Sequence, residues 1–148
     1  EADREQRAVD VLEEAIERFP KASQLHLDLA MLQQNADKLK AARQAYERTI
    51  ELAPDNAVAL NNLAWVIHED EPERALELAE KAYNNNPEAA SIVDTYGWIL
   101  FRNGNIDESI EVLESAHELA PDAVEIREHL AEAHREAGNE ARASELTR

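Results

Sequence analysis

The chain has 148 residues, of which 15 are basic and 32 acidic, for a formal net charge of −17 at pH 7, and it contains no cysteine. So acidic a surface repels nucleic-acid phosphates and anionic lipid headgroups. The lack of cysteine excludes disulfides and thiol chemistry, and no run of about 20 apolar residues is present to span a membrane.

Punctuation comes from Pro20, Pro54, Pro87 and Pro121, spaced 34, 33 and 34 residues apart, each closing a segment rich in Ala and Leu at helical spacing. Residues 1–22 read as one helix carrying Ala8, Leu12 and Ala15 before Pro20. Residues 23–56 form a helix pair, with His26, Leu29, Ala30 and Gln33 on the first helix and Ala42, Tyr46 and Thr49 on the second. Residues 57–89 repeat the pattern with Leu60, Leu63, Ala64 and Ile67, then Ala75, Ala79 and Ala82, but are one residue short in the turn from His68 to Pro72. Residues 90–123 give Val93, Tyr96, Gly97 and Leu100, then Ser109, Leu113 and Ala116. Residues 124–148 start a further copy with Arg127, Leu130, Ala131 and His134 and reach Ala143. Gly104 and Gly138, each followed by Asn, fall in equivalent turns, where a helix end calls for a left-handed residue. Segments of period-two alternation are absent, so no sheet is expected.

The recurring small residue, large residues and closing proline resemble the tetratricopeptide repeat, whose period is about 34 and whose pattern is W-x2-L-G-x2-Y, A-x3-F, P. The likeness covers essentially the whole chain. It implies an all-α fold, a right-handed α-α superhelix of stacked helix pairs, in which no unit buries its apolar face alone. Small residues at Ala30, Ala64, Gly97 and Ala131 let the two helices of a unit approach closely. The chain opens in the second helix of one unit and stops inside the second helix of another, which predicts a piece of a longer array or a processed protein. Ends without a polar cap are expected to fray or to pair, a route to a homo-oligomer.

The resemblance also implies a concave groove lined by the first helices at their second, fifth, ninth, twelfth and thirteenth places. Among those places the expected partner contacts are Leu27, Met31, Asn61, Trp65, His68, Asp94, Trp98, Phe101 and Arg102. Both tryptophans hold the ninth place of successive units and Phe101 lies one helical turn beyond Trp98, so rigid aromatic anchors face one groove. Relatives that grip the acidic carboxyl terminus of chaperones carry lysines and arginines there; only Arg102 and Arg135 are basic here, while Asp94, Glu125, Glu128 and Glu132 are acidic. A neutral to basic protein or peptide partner is expected.

Evidence for chemistry is absent. His129 and His134 lie five apart, where two metal ligands on one helical face stand four apart, and no G-x-S-x-G, G-x-x-x-x-G-K-[ST] or G-x-G-x-x-G motif occurs. The reading is a non-catalytic scaffold without metal or cofactor; its alternative is a spacer or self-association module acting through its ends or convex face. The phrases Ala59 to Trp65, Pro72 to Ala79 and Asp94 to Trp98 further resemble bacterial repeat lipoproteins associated with exosortase sorting and exopolysaccharide export, which implies an envelope location.

Overall fold

The computed structural model describes residues 2–148, and among them nine helices follow one another with no strand. They are α1 (Ala2–Arg18), α2 (Ser23–Asn35), α3 (Leu39–Leu52), α4 (Ala57–Ile67), α5 (Pro72–Asn85), α6 (Ala90–Arg102), α7 (Ile106–Leu119), α8 (Val124–Glu136) and α9 (Glu140–Leu146). Pairs α2/α3, α4/α5, α6/α7 and α8/α9 are the repeated units. The first helices also stack along the array, α4 against α6 and α6 against α8. The result is the all-α superhelix expected from the sequence.

Two kinds of turn build it. Between units, the closing proline takes the second place of a four-residue turn: Asn56 N–H donates to the Ala53 carbonyl at 3.1 Å and Ala123 N–H to that of Ala120 at 3.1 Å, with Pro54 and Pro121 inside. Proline's fixed φ suits that place, and its missing N–H is not needed there. Within units, Asp37, Gly104 and Gly138 adopt φ of 57°, 84° and 80°. Each is followed by a residue whose N–H reaches five places back: Lys38 to Gln33 at 2.8 Å, Asn105 to Leu100 at 3.0 Å, and Asn139 to His134 at 2.8 Å. This left-handed C-terminal lock stops the first helix at 13 residues in α2, α6 and α8. The short unit omits the left-handed residue. Its α4 has 11 residues, the Glu71 N–H bonds the Ile67 carbonyl at 2.8 Å instead, and Pro72 starts α5 where a missing N–H costs nothing.

The core is a chain of small-to-large contacts. Ala30, Ala42, Ala64, Ala75 and Ala131 are fully buried, as are Leu63, Leu100, Leu113 and Leu130. At Gly97 the fit is tightest, since a Cβ there would stand 2.7 Å from Leu113 Cγ and 2.8 Å from its Cδ2. Ser109 Oγ donates to the Gly97 carbonyl at 2.8 Å and pins the same crossing. Units are also tied by charge. Arg74 on α5 donates to both carboxylate oxygens of Glu47 on α3, at 2.9 and 2.7 Å, while Arg43 on α3 donates to Glu71 in the short turn. Arg74 also reaches Glu71 at 3.2 Å.

Two expectations follow. Gly97→Ala destabilises the chain by about 1–3 kcal/mol, because overpacking against a buried leucine outweighs the helix propensity gained. In a Leu113→Ala background the same change costs far less, so a double-mutant cycle in urea returns a strong coupling. The hydrogen bonds from Arg74 hold the Glu47 carboxyl below its ordinary value of 4.5, against the opposing effect of burial. A carboxyl lowered on folding stabilises the fold above its unfolded pKa, and that contribution fades as pH falls through the folded value. Glu47→Gln therefore costs about 0.5–1 kcal/mol at pH 7 and progressively less as the buffer is acidified below 4.5, measured by urea unfolding at both pH values.

Candidate functional site

The first helices bring five rings into one line. Phe101 and Trp98, three apart on α6, stack with centroids 5.0 Å apart and planes at 22°. His129 of α8 also stacks on Trp98, at 4.3 Å and 18°. Trp65 of α4 stands 6.4 Å from His129, and His68 lies 5.1 Å from Trp65. Separations of 4.5–7 Å are those at which offset aromatic pairs attract. The helix period sets the line up: Trp65 and His68, like Trp98 and Phe101, sit one turn apart on one helical face. Arg102 carries its guanidinium carbon 6.0 Å from the Trp98 ring centroid.

Hydrogen bonds fix the two histidines. His68 Nδ1 donates to the Trp65 carbonyl at 2.6 Å, which turns its ring onto the indole. His129 Nδ1 donates to the Asp94 carboxylate, 2.9 Å from Oδ1 and 3.0 Å from Oδ2. With Asp94 on α6 and His129 on α8, this pair bridges two units and holds the imidazole flat against Trp98.

Beside the rings runs a polar chain. Asn61 Nδ2 donates to Asn62 Oδ1 at 3.0 Å, Asn62 Nδ2 donates to the Tyr46 hydroxyl at 3.1 Å, and that hydroxyl donates to Gln34 Oε1. Burial pushes the Tyr46 hydroxyl above its ordinary pKa, partly offset by the Asn62 bond, so it stays a donor throughout the neutral range. Asn61 Oδ1 lies out of solvent with no hydrogen-bond partner among the described residues. Gln34, Asn61, Trp65, Asp94 and Glu125 line a hollow of about 430 Å³ whose walls hold two carboxylates and no lysine or arginine. A second hollow of about 420 Å³, also lined by Trp65, is bordered by Leu39, Val66 and His68.

The residues expected from sequence therefore have different standing. Trp65, His68, Trp98 and Phe101 come together in the ladder, Arg102 flanks it, Asn61 borders the hollow, and Met31 is 41% exposed on α2. Leu27 is only 5% exposed and belongs to the core between units, so it has no surface to give a partner. Asp94 is 6% exposed and is occupied in holding His129. His129 itself was missed. It falls at the sixth place of its helix, one beyond the places assigned to the groove, and the hydrogen bond across to α6 is what draws it in. The pair His129 and His134 does not converge: His134 is buried with Nε2 3.6 Å from Glu114 of α7. A different trio does, since Asp94, Glu125 and His129 each offer a ligand atom within 4.8 Å of the others. Its signal in the sequence was Glu125 and His129, four apart on one helix.

Two family models described as tetratricopeptide repeats match residues 1–66 with 100–148, and residues 67–122. The chain is 30% identical over 132 residues to a TPR repeat-containing protein of Pseudomonas aeruginosa, a stretch covering 88% of this chain and 22% of that protein. It is 28% identical over 126 residues to the human mitochondrial import receptor subunit TOM70, covering 82% of this chain and 20% of that one. The chain thus spans about a fifth of the length of these curated relatives. Among solved structures it resembles MamA of Desulfovibrio magneticus (TM-score 0.85, 17% identity, 96% of this chain and 81% of that one). It also resembles YrrB, described as a TPR protein with an unusual peptide-binding site (0.80, 18% identity, 98% and 75%). These two likenesses speak to the fold. With family models matching from the first residue to the last and a superhelix of the same architecture, the chain belongs to the tetratricopeptide repeat family.

Proposed function

We propose that this array is a non-catalytic scaffold that holds an extended, neutral to basic peptide segment in the groove of its first helices, with the aromatic ladder as anchor. The family is one of protein–protein interaction scaffolds, and the finer reading rests on the ladder of Phe101, Trp98, His129, Trp65 and His68. Rings locked by stacking lose little freedom when a partner's apolar side chain packs on their edges, which is why such residues dominate interface energetics. Trp65 is the main anchor, because it lines two hollows. Asn61 borders the hollow that Asp94 and Glu125 line and supplies an amide for the backbone of an extended chain. Met31 offers adaptable apolar surface at one end of the groove, and Trp98 with Phe101 at the other.

The sign of the partner follows from the lining. Asp94 and Glu125 border the hollow beside Asn61 without a basic residue, and the chain as a whole carries −17. Acidic segments are repelled from such a groove and basic ones drawn in, more weakly as salt is added. A place in a bacterial envelope assembly is supported by the likeness of Ala59 to Trp65 and Asp94 to Trp98 to bacterial repeat lipoproteins. A second reading, self-association, is favoured by one observation: Val11 and Phe19 on the α1 side are 65% and 63% exposed.

The test uses a fluorescent peptide selected from a random library against the wild-type chain. Selection enriches lysine or arginine together with a large apolar residue. Trp65→Ala with Trp98→Ala weakens the selected peptide by at least about 30-fold, as loss of an interface anchor worth 2 kcal/mol or more requires, while helix content by circular dichroism stays near wild type. Equal affinity in the double variant, or enrichment of acidic peptides, contradicts the reading. A mass that rises with concentration while tryptophan emission stays constant identifies self-association instead.

A further inference from the structure

We propose that Asp94, Glu125 and His129 form a binding site for one divalent first-row transition-metal ion, a site that fastens α6 to α8 beside the ladder. The inference does not depend on the peptide reading. Three observations carry it. Glu125 and His129 are four apart on α8, the spacing that puts two ligands on one helical face. The third ligand comes from the neighbouring unit, and the ligand atoms of all three lie within 4.8 Å of one another. Finally, the separations suit an ion: His129 Nδ1 stands 2.9 and 3.0 Å from the two Asp94 oxygens. Two ligands each about 2.0–2.1 Å from one metal, at angles of roughly 90–109°, are about 2.9–3.4 Å apart.

The surroundings favour occupancy. Asp94 is 6% exposed and, among the described residues, neither arginine nor lysine contacts it; its hydrogen bond comes from the imidazole of His129. An ion neutralises both carboxylates, which otherwise stand close together with like charge at the edge of the hollow. Stacking on Trp98 fixes the ring plane and so removes much of the entropy that ligation costs. Glu125 is exposed in the first turn of α8 and makes no ion pair among the described residues, leaving it free to swing inward. One imidazole and two carboxylates suit zinc, manganese, iron, cobalt or nickel. On binding, the Nδ1–H bond breaks and the Nδ1–metal bond forms. The proton passes to Nε2 of a neutral ring, or to water from an imidazolium. Three protein ligands leave at least one position for water.

The experiment uses Zn²⁺ and Co²⁺ with the untagged chain. Isothermal titration is expected to show one ion per chain, Co²⁺ to develop a visible d–d spectrum and quench the adjacent tryptophans, and Tm to rise with ion concentration. His129→Phe keeps a ring against Trp98 while deleting the nitrogen, and Glu125→Gln removes a carboxylate without disturbing the core. Both should retain the wild-type helix content, and His129→Phe should weaken binding at least about 100-fold, beyond the loss typical of groups that merely orient a ligand. The proposal is overturned by no saturation at millimolar ion, or by isotherms that are unchanged in His129→Phe, which would mean that Asp94 and His129 make a hydrogen bond and nothing more.

Discussion

The structure depends on how closely the two helices of a unit can approach. At each crossing a residue without a bulky side chain, Ala30, Ala64, Gly97 or Ala131, lies against the partner helix, and at Gly97 a single methyl group would already collide with Leu113. That spacing fixes the tilt of each first helix, and the tilt fixes where its ninth and twelfth residues point. Because the units repeat, an error at one crossing would be passed along the array. The ring ladder is therefore a consequence of packing several ångströms below it. Three helices place their rings at stacking distance because three crossings are alike.

The structure shows how the two tryptophans pack, and their use as anchors is part of the proposed function. Trp98 stacks with both Phe101 and His129, while Trp65 packs beside His68 and borders two hollows. Stacking restrains the rings and leaves both indoles half-buried, and restrained rings are the ones that make good anchors. The Asp94 to His129 hydrogen bond is the fastening at the centre of this arrangement, and it explains why an acid in the groove is nearly buried.

Much of this was legible from residues alone. The prolines gave the period, the positions of Gly104 and Gly138 gave the left-handed turns, and the ninth place of two successive first helices gave the indoles of the ladder, because each of these is a local requirement that a repeat restates. Asp37 was harder to see, since an aspartate in the left-handed region does the work that glycine does in the other turns. Leu27 and His129 were beyond reach for a related reason. Which side of a helix is covered depends on its neighbour's side chains, and a fixed table of places assigned Leu27 to the groove and left His129 out. The residue that corrected the table, Asp94, lies 35 positions from its partner. The one-residue deletion was visible as a count, whereas its meaning, the loss of the left-handed residue and a five-to-one bond in its place, needed the backbone.

The central claim is that a partner lies along the ring ladder. The most direct measurement is an isotope-filtered NOE spectrum of the chain bound to its selected peptide. The account expects contacts from peptide side chains to the indole protons of both Trp65 and Trp98 and to the ring of His129. Contacts confined to α1 or to the second helices α3, α5 and α7, with both indoles silent, would contradict it.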